Sequence, residues 1–351
     1  MPSPRIDLYS DTQTRPSKGM REAMANAEVG DEQRGEDPST NRLCEMTAEL
    51  LGKEAAVFMP SGTMCNQIAI LVQCNPGDDI IADKTAHIIT SEGGGPAVFA
   101  GTMIRPVDGV RGVFQPDQAE AAIRKARRHA PRSRMIAIEQ TANSGGGTVW
   151  PLDTIRGVGD VARKHGLVLH MDGARLPNAV VASGVSAREF AEPFDSLWID
   201  LSKGLGCPVG AVLAGSADFI EQAWQWKQRM GGAMRQSGVI AAAGIYALEN
   251  NMERLAEDHE NARFFAESVA NLPGIRVESD GIDSNIVFFD VSETGLTAGE
   301  VHERLLEHGV RIGENDRYRM RVVTHLDVTR EQITEAAEAL RSVVMDASRA
   351  A

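Results

Sequence analysis

The stretch that decides the fold is Leu197-Trp-Ile-Asp-Leu-Ser-Lys-Gly-Leu-Gly206, an apolar run that leads directly into a Ser-Lys-Gly turn. The run predicts a buried β-strand with Lys203 just past its carboxyl end. Upstream, Leu167-Val-Leu-His-Met-Asp-Gly-Ala-Arg175 is a second apolar run that ends in a carboxylate, Asp172. The carboxyl ends of parallel strands meet at one edge of a sheet, where α/β enzymes hold their ligands. Lys203 and Asp172 are therefore expected at one site.

This pair of residues predicts pyridoxal phosphate (PLP) as cofactor. A lysine amine can form a Schiff base with an aldehyde. A carboxylate beside the pyridine nitrogen keeps that nitrogen protonated, so that the ring can take up electrons. Each residue alone also has an ordinary interpretation, since most lysines are solvated and many strand-end aspartates cap the next helix. The combination of Lys203 with Asp172, each after an apolar strand, favours the cofactor site.

Composition limits the kinds of partner. The chain has 351 residues, 42% of them apolar and 24% charged, which is enough for one or two globular domains. The net charge of −13 opposes binding to nucleic acid or to an anionic membrane. No stretch has the length of a membrane span, and no secretory leader is visible. The four cysteines form no close pair, which favours a reducing cytoplasmic location and no metal site; they are Cys44, Cys65, Cys74 and Cys207.

Alternating strand and helix patterns predict an α/β fold with a mainly parallel, seven-stranded sheet that is covered on both faces. The predicted strands are 55–58, 79–82, 103–107, 134–139, 167–171, 196–201 and 209–214, and the predicted helices lie near 40–51, 63–73, 116–128, 152–165 and 175–183. These elements form the predicted large, PLP-binding domain, 21–250. The proline-containing segment 1–20 is predicted to be extended.

After residue 235 the pattern changes. Helices are predicted near 235–249, 252–271, 298–308 and 329–346, and short strands near 274–278, 285–290 and 318–323. This arrangement predicts a small C-terminal α+β domain over 251–351.

Two further segments suggest cofactor contacts. Pro60-Ser-Gly-Thr-Met-Cys-Asn66 follows a strand and opens a helix, so Gly62 and Thr63 could hold a phosphate at the helix N-terminus; a plain N-cap is the alternative. His87 follows another strand and could stack on a flat ring, although a structural hydrogen-bonding role is also open.

Arginines are candidates for binding anions. Arg175 leaves the turn after Asp172, and Arg321 emerges from a late strand. Either guanidinium could bind the carboxylate of an amino acid, with a surface ion pair as the alternative. Arg235, in a glycine-rich turn, could bind phosphate across a subunit interface.

The motifs together resemble the low-specificity L-threonine aldolases, PLP enzymes of the aspartate aminotransferase fold type. The matching segments are Ser10-Asp-Thr-Gln-Thr-Arg-Pro16, residues 60–66, His87, 172–175, 201–206, 231–238 and Arg321-Val-Val-Thr-His-Leu-Asp327.

The resemblance implies a role for each matching residue. Lys203 would carry the Schiff base, Asp172 would bind the pyridine nitrogen and His87 would stack on the ring. The remaining contacts implied are Gly62, Thr63 and a neighbouring subunit's Arg235 on the phosphate, and Ser10, Arg175 and Arg321 on the substrate carboxylate, with Arg175 also close to the cofactor. The family forms dimers or tetramers with sites at subunit interfaces.

Two positions depart from the family pattern. Glu139-Gln-Thr-Ala142-Asn has alanine where the family usually has a histidine close to the substrate hydroxyl. Ala142 cannot donate or accept a proton, and it is expected to leave space there. Arg34 replaces an aromatic residue near the site entrance, which suggests an acidic or bulky substituent on the substrate.

The predicted activity is cleavage of 3-hydroxy-L-amino acids to glycine and an aldehyde. The missing histidine leaves an alternative open, namely a PLP enzyme of another reaction class, such as β-elimination, β-replacement, racemisation or aldol transfer. A PLP-binding protein without turnover is a third interpretation.

Overall fold

The computed structural model describes residues 4–278 and 281–350 and divides the chain into two compact units. The larger unit is Pro16–Met252. The smaller unit combines the chain up to Arg15 with the chain from Glu253 onward. Residues 1–3 of the predicted N-terminal segment, and 279–280 and 351 of the predicted C-terminal domain, lie outside the described residues. In the described part of the chain, no helix combines the length and apolar character that crossing a bilayer requires.

The strands, in chain order, are β1 (Ile6–Leu8), β2 (Ala55–Met59), β3 (Asp79–Asp83), β4 (Met103–Val107), β5 (Ser133–Glu139), β6 (Val168–Gly173), β7 (Ser196–Asp200), β8 (Ala211–Gly215), β9 (Arg276–Val277), β10 (Ile286–Asp290), β11 (Val310–Glu314) and β12 (Arg319–Val323). The α-helices are α1 (Lys18–Ala25), α2 (Pro38–Leu51), α3 (Gly62–Gln73), α4 (His87–Thr90), α5 (Gly95–Ala100), α6 (Pro116–Ala122), α7 (Leu152–His165), α8 (Leu176–Ser183), α9 (Ala187–Ala191), α10 (Ala217–Arg229), α11 (Gly238–Asn250), α12 (Leu255–Val269), α13 (Ala298–Glu307) and α14 (Arg330–Ala350). Short 3₁₀ helices occur at Asp11–Gln13, Glu32–Arg34 and Ser292–Thr294.

The larger unit contains a seven-stranded sheet in the order β2-β8-β7-β6-β5-β3-β4. Its strands run parallel from β7 to β4, and β8 is antiparallel to both of its neighbours. Every residue of β3, β6, β7 and β8 is buried, as expected for strands covered on both faces. The predicted mainly parallel α/β sheet is thereby confirmed.

Strand register brings the polar strand ends together. Glu139 on β5 pairs with Asp172 on β6, and Asp172 pairs in turn with Trp198 on β7. His87 follows β3 and Lys203 follows β7. All of these residues therefore lie toward the carboxyl edge of the parallel strands.

The smaller unit has its own five-stranded sheet, in the order β1-β11-β12-β10-β9. Strand β1 joins it in parallel with β11, so the N-terminal strand completes a sheet whose other strands come from the C-terminal part of the chain. Residues of α12, α13 and α14 pack with this sheet in one buried core, in which the rings of Phe265 and Phe289 lie 6.1 Å apart.

Several predicted elements need correction. The helix predicted for 116–128 ends at Ala122, because Ile123 is extended and Arg124 turns to pair with Asp79 over 2.6 Å. The segment 1–20 is extended in β1 but not throughout, since it also contains a 3₁₀ turn and the start of α1, which Ser17 caps. Helix α10 and strand β11 were not predicted.

Candidate active site

Lys203 lies in a tight turn after β7. Its carbonyl accepts from the Gly206 amide over 2.9 Å, and Gly206 adopts a left-handed φ of 79° that suits glycine. The Lys203 Nζ lies 3.1 Å from Asp200 Oδ2, and its side chain is only 17% exposed. The turn therefore presents a largely buried amine at the strand ends, as the sequence predicted.

Asp172 is a buried carboxylate with two donors. Its Oδ1 accepts from the Ala174 amide over 3.0 Å and its Oδ2 from Asn66 Nδ2 over 2.8 Å. The pKa of Asp172 is raised to about 7, mainly by burial and also by repulsion from Glu139, against the attraction of Lys203 and His87. Asp172 and Lys203 thus interact electrostatically. A cation bound next to Asp172 would favour the ionised form of its carboxyl group.

Asn66 fixes the geometry beneath Asp172. Its Oδ1 accepts from Trp198 Nε1 over 2.7 Å, and an indole nitrogen can only donate. The amide nitrogen must therefore face the carboxylates of Asp172 and Glu92. His170 Nε2 also lies 3.1 Å from Asn66 Oδ1, and burial lowers the pKa of His170 to about 4, so this ring is neutral. Asn66 thus has a partner for each of its hydrogen-bonding positions.

His87 begins α4 and is held at two atoms. Its backbone amide donates to Glu139 Oε2 over 2.7 Å, and its ring Nδ1 lies 2.9 Å from Glu92 Oε1. The hydrogen bond to Glu92 raises the pKa of His87 above its usual value. Polar atoms of His87, Glu92 and Asp172 all lie within 4.8 Å of one another, and the His87 ring remains 37% exposed. The structure therefore brings His87 to Asp172.

Gly62 and Thr63 form the first turn of α3, which Ser61 caps by accepting from the Met64 amide. A Cβ at Gly62 would lie 2.2 Å from the ring of Trp198, so this position admits only glycine. Thr63 is exposed beside it. A twelve-residue helix that opens on an exposed hydroxyl and free amides can hold a phosphate.

Arg175 is joined to this group through a loop. Its amide donates to the Gln140 carbonyl over 2.9 Å, and its Nη1 lies 3.4 Å from Asn143 Oδ1. The Asn143 amide donates in turn to Glu139 Oε1 over 2.8 Å. Arg175 is buried, and it therefore belongs to the same site as the strand ends.

The expectation that Ala142 leaves open space needs correction. Ala142 is buried and its amide bonds to the Thr148 carbonyl over 3.0 Å. Gly112 packs against it so closely that an added Cβ would lie 2.6 Å from the Ala142 Cβ. The loop around Gly112 thus covers the alanine.

Four other predicted residues are described by the contacts that they make within their own unit. Arg235 Nη1 bonds to Asp31 Oδ2 over 2.8 Å, and Arg34 Nε lies 3.9 Å from the same atom, so these two arginines share Asp31. Ser10 and Arg321 belong to the smaller unit, where Arg321 Nη2 lies 3.3 Å from the Tyr9 carbonyl. Within that unit, Arg321 and the segment containing Ser10 are neighbours.

Sequence reasoning missed the residues that organise the site: Glu92, Glu139 and the role of Asn66. A local signal existed for Asn66, which stands one helical turn after Gly62 and so shares its face of α3. Glu92 follows His87 by five residues across an irregular turn, where no periodicity applies.

The fold and the site define the class of the protein. An α/β sheet that sets a buried amine and a buried carboxylate at adjacent strand ends, with a helix N-terminus beside them, fits PLP. The Lys203 amine can react with the aldehyde of PLP, and Asp172 can bind its pyridine nitrogen. The glycine-lined start of α3 can bind its phosphate. The protein is a PLP-dependent enzyme of the aspartate aminotransferase fold type.

Comparison with known proteins gives the family. The family model described as beta-eliminating lyase matches residues 7–292. The low specificity L-threonine aldolase of Escherichia coli (strain K12) is 42% identical over 333 residues, covering 95% of this chain and 97% of the relative. Low-specificity L-threonine aldolase 1 of Arabidopsis thaliana is 40% identical over 333 residues, covering 93% of each. The chain belongs to the low-specificity L-threonine aldolase group of this lyase family, which confirms the resemblance, the lyase class and the cofactor.

Solved structures support the fold. The Leishmania major threonine aldolase superposes with a TM-score of 0.83 at 21% identity, covering 97% of this chain and 99% of that one. Sphingomonas wittichii serine palmitoyltransferase gives a TM-score of 0.76 at 16% identity, covering 98% of this chain and 88% of that one. At these identities the likeness concerns the fold alone.

Proposed function

We propose that this protein cleaves 3-hydroxy-L-amino acids between Cα and Cβ, giving glycine and an aldehyde. The observation that carries the proposal is the convergence of Lys203, Asp172 and His87 at the strand ends of a chain that is 42% identical to an L-threonine aldolase. The amino acid would be threonine-like. Arg34 is exposed and stands where the family has an aromatic residue near the site entrance, which favours substrates with a bulky or acidic β-substituent, such as 3-hydroxyaspartate.

Each strand-end residue has a part in holding the cofactor. Lys203 would bind the aldehyde carbon, Asp172 the pyridine nitrogen, and His87 the face of the ring. Gly62 and Thr63 would bind the phosphate through the first turn of α3. When bound, PLP supplies an electron sink for the pair released from the broken bond. Asp172 suits this chemistry because its carboxyl group is buried and therefore gains most from a cationic partner.

Binding of the substrate carboxylate is assigned to arginines. Arg175 is buried and already fixed at its backbone and through Asn143, so its guanidinium loses little freedom on binding. Ser10 and Arg321 are further candidates for this carboxylate, because both lie in segments that match the aldolase family. A carboxylate held in this way fixes the orientation of the amino acid and hence the Cα bond that breaks.

The test is a product analysis. The PLP-loaded enzyme is given threonine, allo-threonine, phenylserine, 3-hydroxyaspartate and serine, and glycine, aldehyde, pyruvate and ammonia are measured. We expect equal amounts of glycine and aldehyde from at least one 3-hydroxy acid, and none with Lys203→Ala. Pyruvate and ammonia without glycine would contradict the proposal and favour the β-eliminating alternative, which the absence of a proton carrier at Ala142 supports.

We further propose that the enzyme acts in the cytoplasm as a homo-oligomer, a dimer or a tetramer. Support comes from its scattered thiols and from Arg235, which bonds to Asp31 within its own chain and is 61% exposed. An exposed arginine at this position is available to the site of a neighbouring copy, where it would bind the cofactor phosphate.

A further inference from the structure

Glu92 is a buried carboxylate that contacts two residues of the site, His87 and Asn66. Its Oε1 lies 2.9 Å from His87 Nδ1 and 2.6 Å from Asn66 Nδ2, and its Oε2 accepts from Gln67 Nε2. The side chain is fully shielded from solvent. Because Asn66 also donates to Asp172, the amide of one residue ties Glu92 to the carboxylate that faces the cofactor.

These contacts decide which nitrogen of His87 carries its proton. An ionised carboxylate can only accept hydrogen bonds, so His87 Nδ1 must donate to Glu92. In the neutral ring the lone pair then lies on Nε2, the nitrogen that remains for exchange with a bound substrate. Buried carboxylates orient the catalytic histidines of hydrolases in the same way.

We propose that Glu92 is a positioning residue that makes His87 Nε2 the acceptor of the substrate hydroxyl proton, the task that Ala142 cannot perform. This inference rests on the proposed function. The O–H bond breaks and Nε2–H forms. The O–H electron pair becomes the second bond of the aldehyde carbonyl, while the Cα–Cβ pair stays with Cα. The proton then passes from Nε2 to Cα, which completes glycine without any oxidant or reductant.

The charges around His87 favour this role. Three carboxyl groups face the ring from the elements packed against it: Glu92 after α4, Asp172 on β6 and Glu139 on β5. Together they raise the pKa of His87 against the opposing effect of burial, and the hydrogen bond to Glu92 is the largest cause. A base whose pKa lies close to the working pH transfers protons most effectively.

Glu92→Gln tests the proposal with little change in packing. The new amide nitrogen would face Gln67, whose Oε1 is buried without a hydrogen-bond partner in the described structure. A flip of the Gln67 amide would let that oxygen accept from the new amide, so the variant can fold. Gln67→Met serves as the matched control, because it removes a donor to Glu92 and leaves the contact with His87 in place.

Two measurements on the PLP-loaded enzyme are needed. NMR titration of ¹³C-labelled histidine, assigned with His87→Asn, reports the pKa of His87 directly. Steady-state kinetics across pH reports kcat and KM. In Glu92→Gln we expect a lower pKa for His87, an acid limb of kcat/KM shifted to lower pH, and a kcat reduced about 10- to 100-fold with KM nearly unchanged. Gln67→Met should change kcat by less than about threefold.

An unchanged His87 pKa in Glu92→Gln would overturn the proposal. A change in KM alone, or a decrease in kcat that Gln67→Met shows equally, would overturn it as well. Glu92→Gln keeps an oxygen beside His87 Nδ1 but loses the charge, whereas Glu92→Asp keeps the charge and should recover part of the pKa shift. If the wild-type enzyme cleaves no 3-hydroxy acid, the proposed function and the base assignment fail together. The NMR titration would still show in that case whether Glu92 sets the charge of the ring.

Discussion

Asn66 donates its side-chain amide to Asp172 Oδ2 over 2.8 Å, and this contact, with the Ala174 amide on Oδ1, orients the carboxylate on which the cofactor chemistry depends. The direction of the amide is fixed because Trp198 Nε1 donates to the other end of the same group over 2.7 Å. Asp172 is therefore held in place by a residue from α3, the helix whose N-terminus is the proposed phosphate site. One helix thus positions both ends of the cofactor site.

Replacing Asn66 should damage both stability and cofactor binding. Asn66→Ala leaves the indole of Trp198 without its acceptor and Asp172 without one donor, and a buried unpaired group costs about 1–3 kcal/mol. We expect a loss of at least about 2 kcal/mol in urea unfolding and weaker PLP binding. Asn66→Asp keeps the acceptor and places a carboxylate beside Asp172, so its PLP affinity should fall although the indole bond persists. Wild-type PLP affinity in both variants would contradict this role.

Gly62 should tolerate no side chain. In Gly62→Ala the methyl group would lie 2.2 Å from the Trp198 ring, so α3 or the indole must move. Overpacking of this kind costs about 1–3 kcal/mol, and the displaced helix start should bind PLP more weakly. Gly281→Ala is the control, because a Cβ there meets no atom of the described residues within 4 Å. Thermal unfolding measures the stability of the two variants, and PLP titration measures their cofactor affinity. Equal stability and equal PLP affinity in the two variants would show that the tight contact at Gly62 has no consequence.

The raised pKa of Asp172 predicts a pH-dependent stability for the PLP-free protein. The folded state holds a proton on Asp172 up to about pH 7, whereas the unfolded chain releases it near pH 3.9. The stabilisation of the folded state by this bound proton is therefore complete below about pH 4 and is lost as the pH rises through 7. Between pH 6 and 8 the wild type should lose about 1 kcal/mol relative to Asp172→Asn. Urea unfolding of both proteins at pH 6 and pH 8 measures this change. The same difference in unfolding free energy between wild type and Asp172→Asn at the two pH values would refute it.

The assignment of Arg235 to a neighbouring subunit can be tested by mixing two inactive variants. Lys203→Ala and Arg235→Ala are unfolded and refolded together. If each site combines Lys203 from one chain with Arg235 from the other, mixed dimers regain one intact site of two, and about a quarter of the activity returns. Separately refolded variants are the control. No recovery in mixtures shown to contain mixed oligomers would place Arg235 in the site of its own chain.

The sequence predicted the sheet well, for a physical reason. Parallel strands that are buried on both faces need continuous apolar runs, and 196–201 and 167–171 are runs of that kind. Lys203 and Asp172 could be found because strand ends are readable from such runs. Helix α10 was missed because its N-cap, Ser216, directly follows β8 and because about half of its residues are polar.

The supporting residues could not be predicted in the same way. Glu92 meets Asn66, and through it Asp172, only after α3, β6 and the turn behind α4 have packed, so no local spacing indicates the contact. The covering of Ala142 by Gly112 is likewise a contact between two loops 30 residues apart. Strand β1 escaped prediction because three residues form a stable strand only by pairing with β11.

The central claim is that Lys203 binds the cofactor. Reduction of the PLP-loaded enzyme with borohydride makes the link between lysine and cofactor permanent, and mass spectrometry of the peptides then locates it. We expect the pyridoxyl group on the peptide that contains Lys203 and its loss in Lys203→Ala. A pyridoxyl group on another lysine, such as the buried Lys227, or on no lysine at all, would contradict the account.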